Sequence, residues 1–173
     1  MLTNKDWNAV NAGQRVLAKA IVRCQLGDIR EEGPTDSRPK EGSPATTEEM
    51  LVVPMTLLQE AKTTDGDTVS AGFPLTGRFR IYAAKNGEPL ADNFAKANSI
   101  SEQRIKRLML AGLGLMRNDK SDVQKTLIER GGWSALKDKQ VLVDIDVTES
   151  KGTKYQEVSS FSMAPAATPA NPF

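Results

Sequence analysis

The chain has 173 residues, of which 39% are hydrophobic and 26% charged, a composition typical of a globular protein with one buried core. It contains no histidine, which excludes serine–histidine–aspartate triads, cysteine–histidine pairs and zinc sites built on imidazole. With a single cysteine, Cys24, no intramolecular disulfide can form. Its place in an apolar alternation predicts a buried, inert thiol rather than a nucleophile.

The net charge of +1 is unevenly distributed along the chain. Residues 72 to 137 hold twelve basic and six acidic residues, so the remainder carries more acidic than basic groups. This asymmetry predicts a basic patch on a nearly neutral protein. No apolar run is long enough to span a membrane, and the first residues, M-L-T-N-K-D-W-N, lack the apolar run of a secretory signal, so we expect a cytoplasmic protein.

The first predicted element is a strand over residues 14 to 26, where apolar residues alternate with polar ones. A helix is the alternative, because alanine, leucine and lysine favour it, but the period of two persists for about a dozen residues. Residues 27 to 47 are rich in glycine, proline, serine, threonine and charge, which predicts a mobile loop.

Two further strands follow this loop. Residues 50 to 58 form the second, in which Pro54 lacks a backbone donor and indicates an edge position or a bulge. After a turn at Asp65-Gly66, residues 72 to 82 form the third, G-F-P-L-T-G-R-F-R-I-Y. Alternation assigns Leu75, Gly77, Phe79 and Ile81 to a core face and Thr76, Arg78, Arg80 and Tyr82 to the opposite face. An ordinary half-exposed strand with solvated arginines is the alternative interpretation.

Two helices are predicted after the third strand, from apolar residues at helical spacing. Ser99-Ile100-Ser101-Glu102 matches a capping box at the start of a helix. The apolar stripe predicted for this helix consists of Ile105, Leu108, Met109, Gly112, Leu113 and Met116. A second helix is predicted from Ser121 to Gly131-Gly132, with Val123, Leu127 and Ile128 packed inward.

Two strands close the predicted domain. Residues 140 to 148 alternate strictly, and a turn over residues 149 to 154 connects them to a last strand over 155 to 163. Trp133 and Phe161 are interpreted as core residues, because large aromatic residues beside strands usually fill the interior. The chain therefore reads as one domain over residues 1 to 163, followed by an Ala- and Pro-rich tail over 164 to 173 that we expect to be disordered.

Five strands with helices between the third and fourth are the order of an OB-fold, a small Greek-key barrel. The fold class predicted is mainly β with a helical insertion (α+β), arranged as an OB-like five-stranded barrel. Position 77, a glycine on the inner face, would let the third strand bend as barrel strands must.

The chain resembles the OB-fold single-stranded-DNA-binding proteins of tailed phages and their uncharacterised relatives. The resemblance spans residues 14 to 162 and rests on R-V-L-A-K-A-I-V, M-L-V-V-P-M-T-L-L, G-R-F-R-I-Y, R-I-K-R-L-M-L-A-G-L-G-L and L-K-D-K-Q-V-L-V-D-I. It implies sequence-independent binding of single-stranded DNA in phage replication or recombination, in the host cytoplasm, with replication or recombination proteins as further partners. An oligomer is compatible with the sequence.

The C-terminal residues Asn171-Pro172-Phe173 are similar to the Pro-Phe end through which bacterial single-strand-binding proteins recruit partners. In those proteins the end is acidic, whereas the last ten positions here contain no acidic residue. An unspecialised disordered end is therefore the favoured interpretation.

Binding of single strands without sequence preference needs cations that follow phosphates and flat rings on which bases stack. The third strand offers both, the first strand adds two cations on its outer face, and the final hairpin adds a lysine and a tyrosine. The candidate binding residues are Arg78, Arg80, Tyr82, Lys19, Arg23, Lys154 and Tyr155. The hypothesis requires Asp144 and Asp146 to lie away from this surface, since carboxylates would repel phosphate.

Two rival hypotheses stay open. Asp144, Asp146, Glu149 and Lys151 loosely match the carboxylate and E-x-K constellation of metal-dependent nucleases, although E-S-K-G is typical of a turn. An OB-fold can equally bind a protein, as a phage accessory or inhibitor protein would. The favoured prediction remains a binding protein without enzymatic activity, cofactor or metal.

Overall fold

Eight strands and two helices form the described parts of the chain, residues 15–37, 45–85 and 87–166 of a computed structural model. In chain order they are β1 (Ala20–Leu26), β2 (Arg30–Asp36), β3 (Thr46–Leu57), β4 (Ala61–Lys62), β5 (Thr68–Val69), β6 (Pro74–Ala84), α1 (Asp92–Gly112), α2 (Val123–Glu129), β7 (Gln140–Ser150) and β8 (Thr153–Met163). A 3₁₀ turn, Gly132–Leu136, follows α2. The predicted mainly β class with an antiparallel sheet and helices is confirmed.

The long strand β3 organises the main sheet. Along one edge it pairs with β6 over nearly its whole length. Its other edge pairs with β2 in the first half and with β1 in the second half. β1 then pairs with β7 and β7 with β8, and all these pairings are antiparallel. The strands β4 and β5 form a separate small hairpin.

The core lies on the inner face of this sheet and beneath α1. Alternate residues of β1, β6 and β7 are buried, as the period of two predicts, whereas β3 also buries Val52 between Leu51 and Val53. Phe161 of β8 is 1% exposed, which confirms its predicted core position, and its ring meets Phe79 of β6 edge to face at 5.8 Å between centroids. Cys24 is fully buried as predicted, and burial raises the pKa of its thiol to about 12, so the thiol stays protonated at neutral pH.

The first strand is shorter than predicted. It begins at Ala20, whereas residue 14, the predicted start, lies outside the described residues. Leu17 instead makes an isolated bridge with Thr63, and its backbone N–H donates to the side chain of Gln156. The apolar alternation continues through residues 16 to 19, but these contacts hold that segment against the β4–β5 hairpin rather than in the main sheet.

The segment predicted as a loop, residues 27 to 47, contains β2. All seven residues of β2 are exposed, so no apolar alternation marks the strand in the sequence. It is an edge strand held by backbone pairing with β3, and the register shifts between Glu32 and Thr35. Residues 38 to 44 of the predicted loop lie outside the described residues.

The backbone at Gly33 in β2 leaves no room for a side chain, so a substitution there should lower the stability of the protein measurably. Its φ is +99°, and a Cβ atom at this position would lie 2.7 Å from the carbonyl oxygen of Glu48. We expect Gly33→Ala to lower the free energy of unfolding by about 1–3 kcal/mol, because strain and a backbone clash combine. Gly66 is the matched control, since its φ is +89° with nothing within 4 Å of the added Cβ. Urea unfolding that finds Gly66→Ala at least as costly as Gly33→Ala would contradict the clash.

The helices differ from the prediction at their ends. Ser99 is not a cap, because α1 begins two turns earlier, after Ala91. Contacts with β6, described below, stabilise this early start and override the local capping signal. For α2 the cap is Asp122, whose side chain accepts from the backbone N–H of Lys125, rather than the predicted Ser121.

Two residues of the predicted apolar stripes are not buried. Met116 is 67% exposed because α1 ends at Gly112, before the stripe reaches it. Ile128 of α2 is also exposed, at 66%. The remaining stripe residues are buried or pack against the core: Ile105, Leu108, Met109, Gly112, Leu113, Val123 and Leu127.

The predicted final hairpin is confirmed. Lys151 and Gly152 form its turn, both with positive φ, as a two-residue turn between twisted strands requires. The predicted disordered tail falls mostly on residues 167 to 173, which lie outside the described residues, as does the Asn171-Pro172-Phe173 end. Neither described helix is long and apolar enough to cross a membrane.

Candidate nucleic-acid interface

The outer face of β6 presents two neighbouring arginines. Arg78 and Arg80 are exposed, and they alternate with Gly77 and Phe79, which are buried in the core. Successive side chains on one strand face are about 7 Å apart, which is close to the spacing of adjacent phosphates in an extended single strand. The predicted orientation of both guanidinium groups is therefore the one observed.

Tyr82 lies in a different environment from the two arginines. Its ring packs on Phe94 near the start of α1, with 4.5 Å between ring centroids. Its backbone N–H donates to Oδ1 of Asn98 at 2.7 Å, and its carbonyl accepts from Nδ2 of Asn98 at 2.8 Å. The free edge of β6 is thus covered here, and the aromatic surface is the Tyr82–Phe94 pair rather than Tyr82 alone.

A third arginine, Arg30 of β2, joins the same face. The register places Arg30 opposite Val52 of β3, and Val52 opposite Arg78 of β6. Val52 is 1% exposed although it lies outside the main core cluster, which fits coverage by the flanking arginine stems. Arg30 is not among the residues predicted from the sequence, because β2 carries no apolar alternation that would mark it as a strand.

Carboxylates share this face with the arginines. Met50 of β3 lies between Glu32 of β2 and Arg80 of β6 in the register. Oε1 of Glu32 is 3.0 Å from Nε of Arg30. Glu48 is opposite Tyr82. Within residues 15–37, 45–85 and 87–166, no acidic oxygen lies within 4 Å of Arg78 or Arg80. The β6 side of the face is therefore the basic side.

The structure does not bring Lys19 and Arg23 to this face. β3 separates β1 from β6, so the first and third predicted strands are not neighbours in the sheet. Lys19 forms an ion pair with Asp146 at 3.2 Å. The guanidinium of Arg23 donates to Gln140 and to the carbonyl oxygen of Pro165. Both cations are engaged in contacts within the protein.

The carboxyl of Asp146 is well suited to hold Lys19. A hydrogen bond from Ser159, and then the contact with Lys19, lower the pKa of this carboxyl below its usual value. Asp146 is therefore ionised at neutral pH and places a negative charge beside Lys19, which makes Lys19 a weaker phosphate ligand than Arg78 or Arg80.

Lys154 and Tyr155 lie apart from the arginines, at the start of β8. They are opposite Glu149 and Thr148 of β7, and both side chains are exposed. Tyr155 is 53% exposed, which leaves its ring available to a ligand. The described hydrogen bonds and ring contacts do not connect this end of the hairpin with the arginines of β6.

The aspartates that the hypothesis requires to lie elsewhere do so. Arg78 is opposite Val52, whereas Asp144 is opposite Ile21 of β1. The row that contains Arg78 and Val52 and the row that contains Ile21 and Asp144 are separated by four residues along β3 and four along β1. This separation is roughly 25 Å along the strand direction. Among the described residues, no three acidic or cysteine side chains lie close enough together to hold a metal ion.

A second basic cluster was not predicted. Arg107 of α1 and Arg117 of the following loop both donate to the hydroxyl oxygen of Ser160, at 3.2 and 3.0 Å. Neither guanidinium lies within 4 Å of a carboxylate in the described residues. The neighbouring Arg104, in contrast, pairs with Glu157. The sequence does not predict this cluster, because Ser160 is 53 and 43 residues away in the chain from Arg107 and Arg117.

Compared with protein-family models and with curated proteins, the chain matches none.

Proposed function

We propose that this protein binds single-stranded DNA without sequence preference through the outer face of β6. The observation that supports this most is the pair Arg78 and Arg80, exposed side by side without a close carboxylate among the described residues. Two such guanidinium groups can each contact a phosphate of an extended strand. A role in phage replication or recombination is part of this proposal and rests on the sequence resemblance alone.

The proposal includes an OB-like barrel. In this assignment β1 and β2 together form a bent first strand along one edge of β3, which is the second strand. β6, β7 and β8 then correspond to the third, fourth and fifth strands. The contact between Phe79 and Phe161 supports an approach of β6 to β8, as closure requires. OB-folds commonly bind oligonucleotides on the face of the second and third strands, which here are β3 and β6.

Bases would stack beside these phosphate contacts. The Tyr82–Phe94 pair lies at the end of the arginine row, and stacking contributes about 1–3 kcal/mol for each base. Lys154 and Tyr155 lie next to the β7–β8 turn, which corresponds to a loop that flanks the binding face in OB-folds. Lys19 and Arg23 are omitted from the proposed interface, because both are engaged with other groups.

Fluorescence anisotropy of labelled oligo-dT tests the proposal directly. We expect binding that weakens steeply as salt is raised, because released counterions drive it, and no comparable binding of a duplex of equal length. Absence of oligo-dT binding at low salt would reject the proposal. Equal binding of duplex and single strand would reject the stacking contribution.

A protein ligand on the same face is the alternative. Glu32 and Glu48 reduce the net positive charge of the outer face. This reduction favours a partner of mixed charge over a polyanion. A protein-interaction module would not bind an oligonucleotide of arbitrary sequence with strong salt dependence, so the anisotropy titration separates the two functions.

A further inference from the structure

An open groove lies on the side of the molecule formed by the helices, on the inner side of β2, β3 and β6. One part of it, about 560 Å³ in volume, is bordered by α1, α2, the 3₁₀ turn and the ends of β2 and β6. A second part continues along β2 and β3 and shares four lining residues with the first: Glu31, Ile81, Ile105 and Trp133. The volume is in the range that proteins use for ligands.

The floor of the groove is apolar and incompletely covered. Ile105 and Trp133 are only partly buried, and Ile128 at the border is 66% exposed. The indole N–H of Trp133 donates to Oε1 of Glu31 at 2.8 Å, which fixes the ring on the wall of the groove. Trp133 is thus neither a fully buried core residue, as predicted, nor a free platform.

The charged residues that the described parts of the chain contribute to the rim of the groove are all acidic. Glu31, Glu49 and Glu102 line the groove from the inner side, and Glu32 touches it at the edge of β2, although its register places it on the outer face. Among the described residues, no lysine or arginine lines either part. Arg30 neutralises Glu32. In the described ranges, no basic group lies within 4 Å of Glu31, Glu49 or Glu102. Three carboxylates without a close counter-charge in the described residues therefore border exposed apolar surface.

We propose that this groove binds a short segment of a partner protein in which arginine or lysine residues alternate with large apolar ones. Apolar side chains of the segment cover Ile81, Ile105 and Ile128, and its cations meet the glutamates on the rim. An arginine can pair with the free oxygen of Glu31 and lie against the ring of Trp133. Nucleic acid is excluded from the groove by the same carboxylates.

The two faces of the protein then have opposite preferences. The outer face of β6 attracts anions, and the groove attracts cations, so one chain can hold a polyanion and a basic protein segment together. Binding of a peptide in the groove does not depend on DNA binding, since neither Arg78 nor Arg80 lines the groove.

Trp133 fluorescence provides the readout for a test. The background is Trp7→Phe, which leaves Trp133 as the sole tryptophan, and the probe is a short amphipathic peptide built from leucine and arginine. We expect this peptide to change the emission of Trp133 with saturable binding. Two control peptides, with glutamate in place of arginine or serine in place of leucine, should bind at least about tenfold more weakly.

Variants of the protein locate the binding. Glu31→Gln combined with Glu102→Gln should weaken binding of the leucine–arginine peptide at least about fivefold. Ile128→Ser should also weaken binding, and it should leave the protein folded because Ile128 is exposed. Glu149→Gln removes an exposed carboxylate at the β7–β8 hairpin and should have no effect. Equal binding of the glutamate peptide, or unchanged affinity in the Glu31→Gln, Glu102→Gln variant, would overturn the proposal. Self-association that occupies the groove, detected by sedimentation, would overturn it in favour of a second copy of the chain.

Discussion

Replacing Arg78 and Arg80 together by alanine is expected to weaken oligo-dT binding by roughly ten- to fiftyfold at low salt. Each arginine that contacts a phosphate releases condensed cations from the strand. Without both arginines, the decrease of log affinity with log salt should therefore be shallower by about 1.4. Anisotropy titrations at several salt concentrations measure both quantities. Both side chains point away from the core, so the free energy of unfolding should change by no more than about 0.5 kcal/mol.

A matched variant separates this local effect from a change in net charge. Lys120→Ala with Lys125→Ala removes the same two charges from exposed positions in α2 and the loop before it. It should leave the salt slope close to that of the unmodified protein. Arg78→Lys with Arg80→Lys should keep the slope and lose only part of the affinity, because lysine retains the charge without the planar fork. If the two alanine pairs behaved alike, β6 would not be the binding surface.

The orientation of the arginines could be predicted from the sequence because it depends only on the strand period. Apolar residues at 75, 79 and 81 fix one face of β6 as the core, and Arg78 and Arg80 must then point outward. The strand period likewise predicts β7, and the turn residues between the last two strands predict the final hairpin. Partnerships between strands do not follow from the period, which is why the sequence could not show that β3 separates Lys19 and Arg23 from β6.

The missed elements share a physical cause. The strand β2 is wholly exposed and depends on backbone pairing with β3, so its sequence, R-E-E-G-P-T-D, carries no apolar pattern. The first two turns of α1 depend on Phe94 meeting Tyr82 and on Asn98 bonding the Tyr82 backbone. Both are long-range contacts, and they outweigh the local capping signal at Ser99. Arg30 and Phe94, the residues added to the candidate interface, come from these two elements.

The groove could not be predicted from the sequence for a related reason. Glu31 and Glu102 are distant in the chain and meet only because β2 pairs with β3 while α1 covers the inner face. Individually each looks like an ordinary solvated carboxylate. Their shared border, with an apolar floor and no basic residue among the described lining residues, is a property of the fold.

The largest stability effect is expected at Phe161. Its ring is 1% exposed and meets Phe79 edge to face, between β8 and β6. Phe161→Ala removes buried surface and leaves a cavity, which should lower the free energy of unfolding by about 3–5 kcal/mol. That is a large fraction of the roughly 5–15 kcal/mol typical of a whole domain, so the variant should melt at a much lower temperature.

Two further variants test whether the aromatic contact itself contributes. Phe79→Leu and Phe161→Leu keep most of the apolar volume, so a double-mutant cycle should give a coupling of about 0.5–1.5 kcal/mol for the ring pair. Met163→Ala, at a 46% exposed position on the same strand, should cost no more than about 1 kcal/mol. Because β6 and β8 are not joined by a strand ladder in the described sheet, this ring contact is a principal link between them. A Phe161→Ala variant as stable as Met163→Ala would mean that β6 and β8 do not close together through this pair, which would remove the main support for a closed barrel.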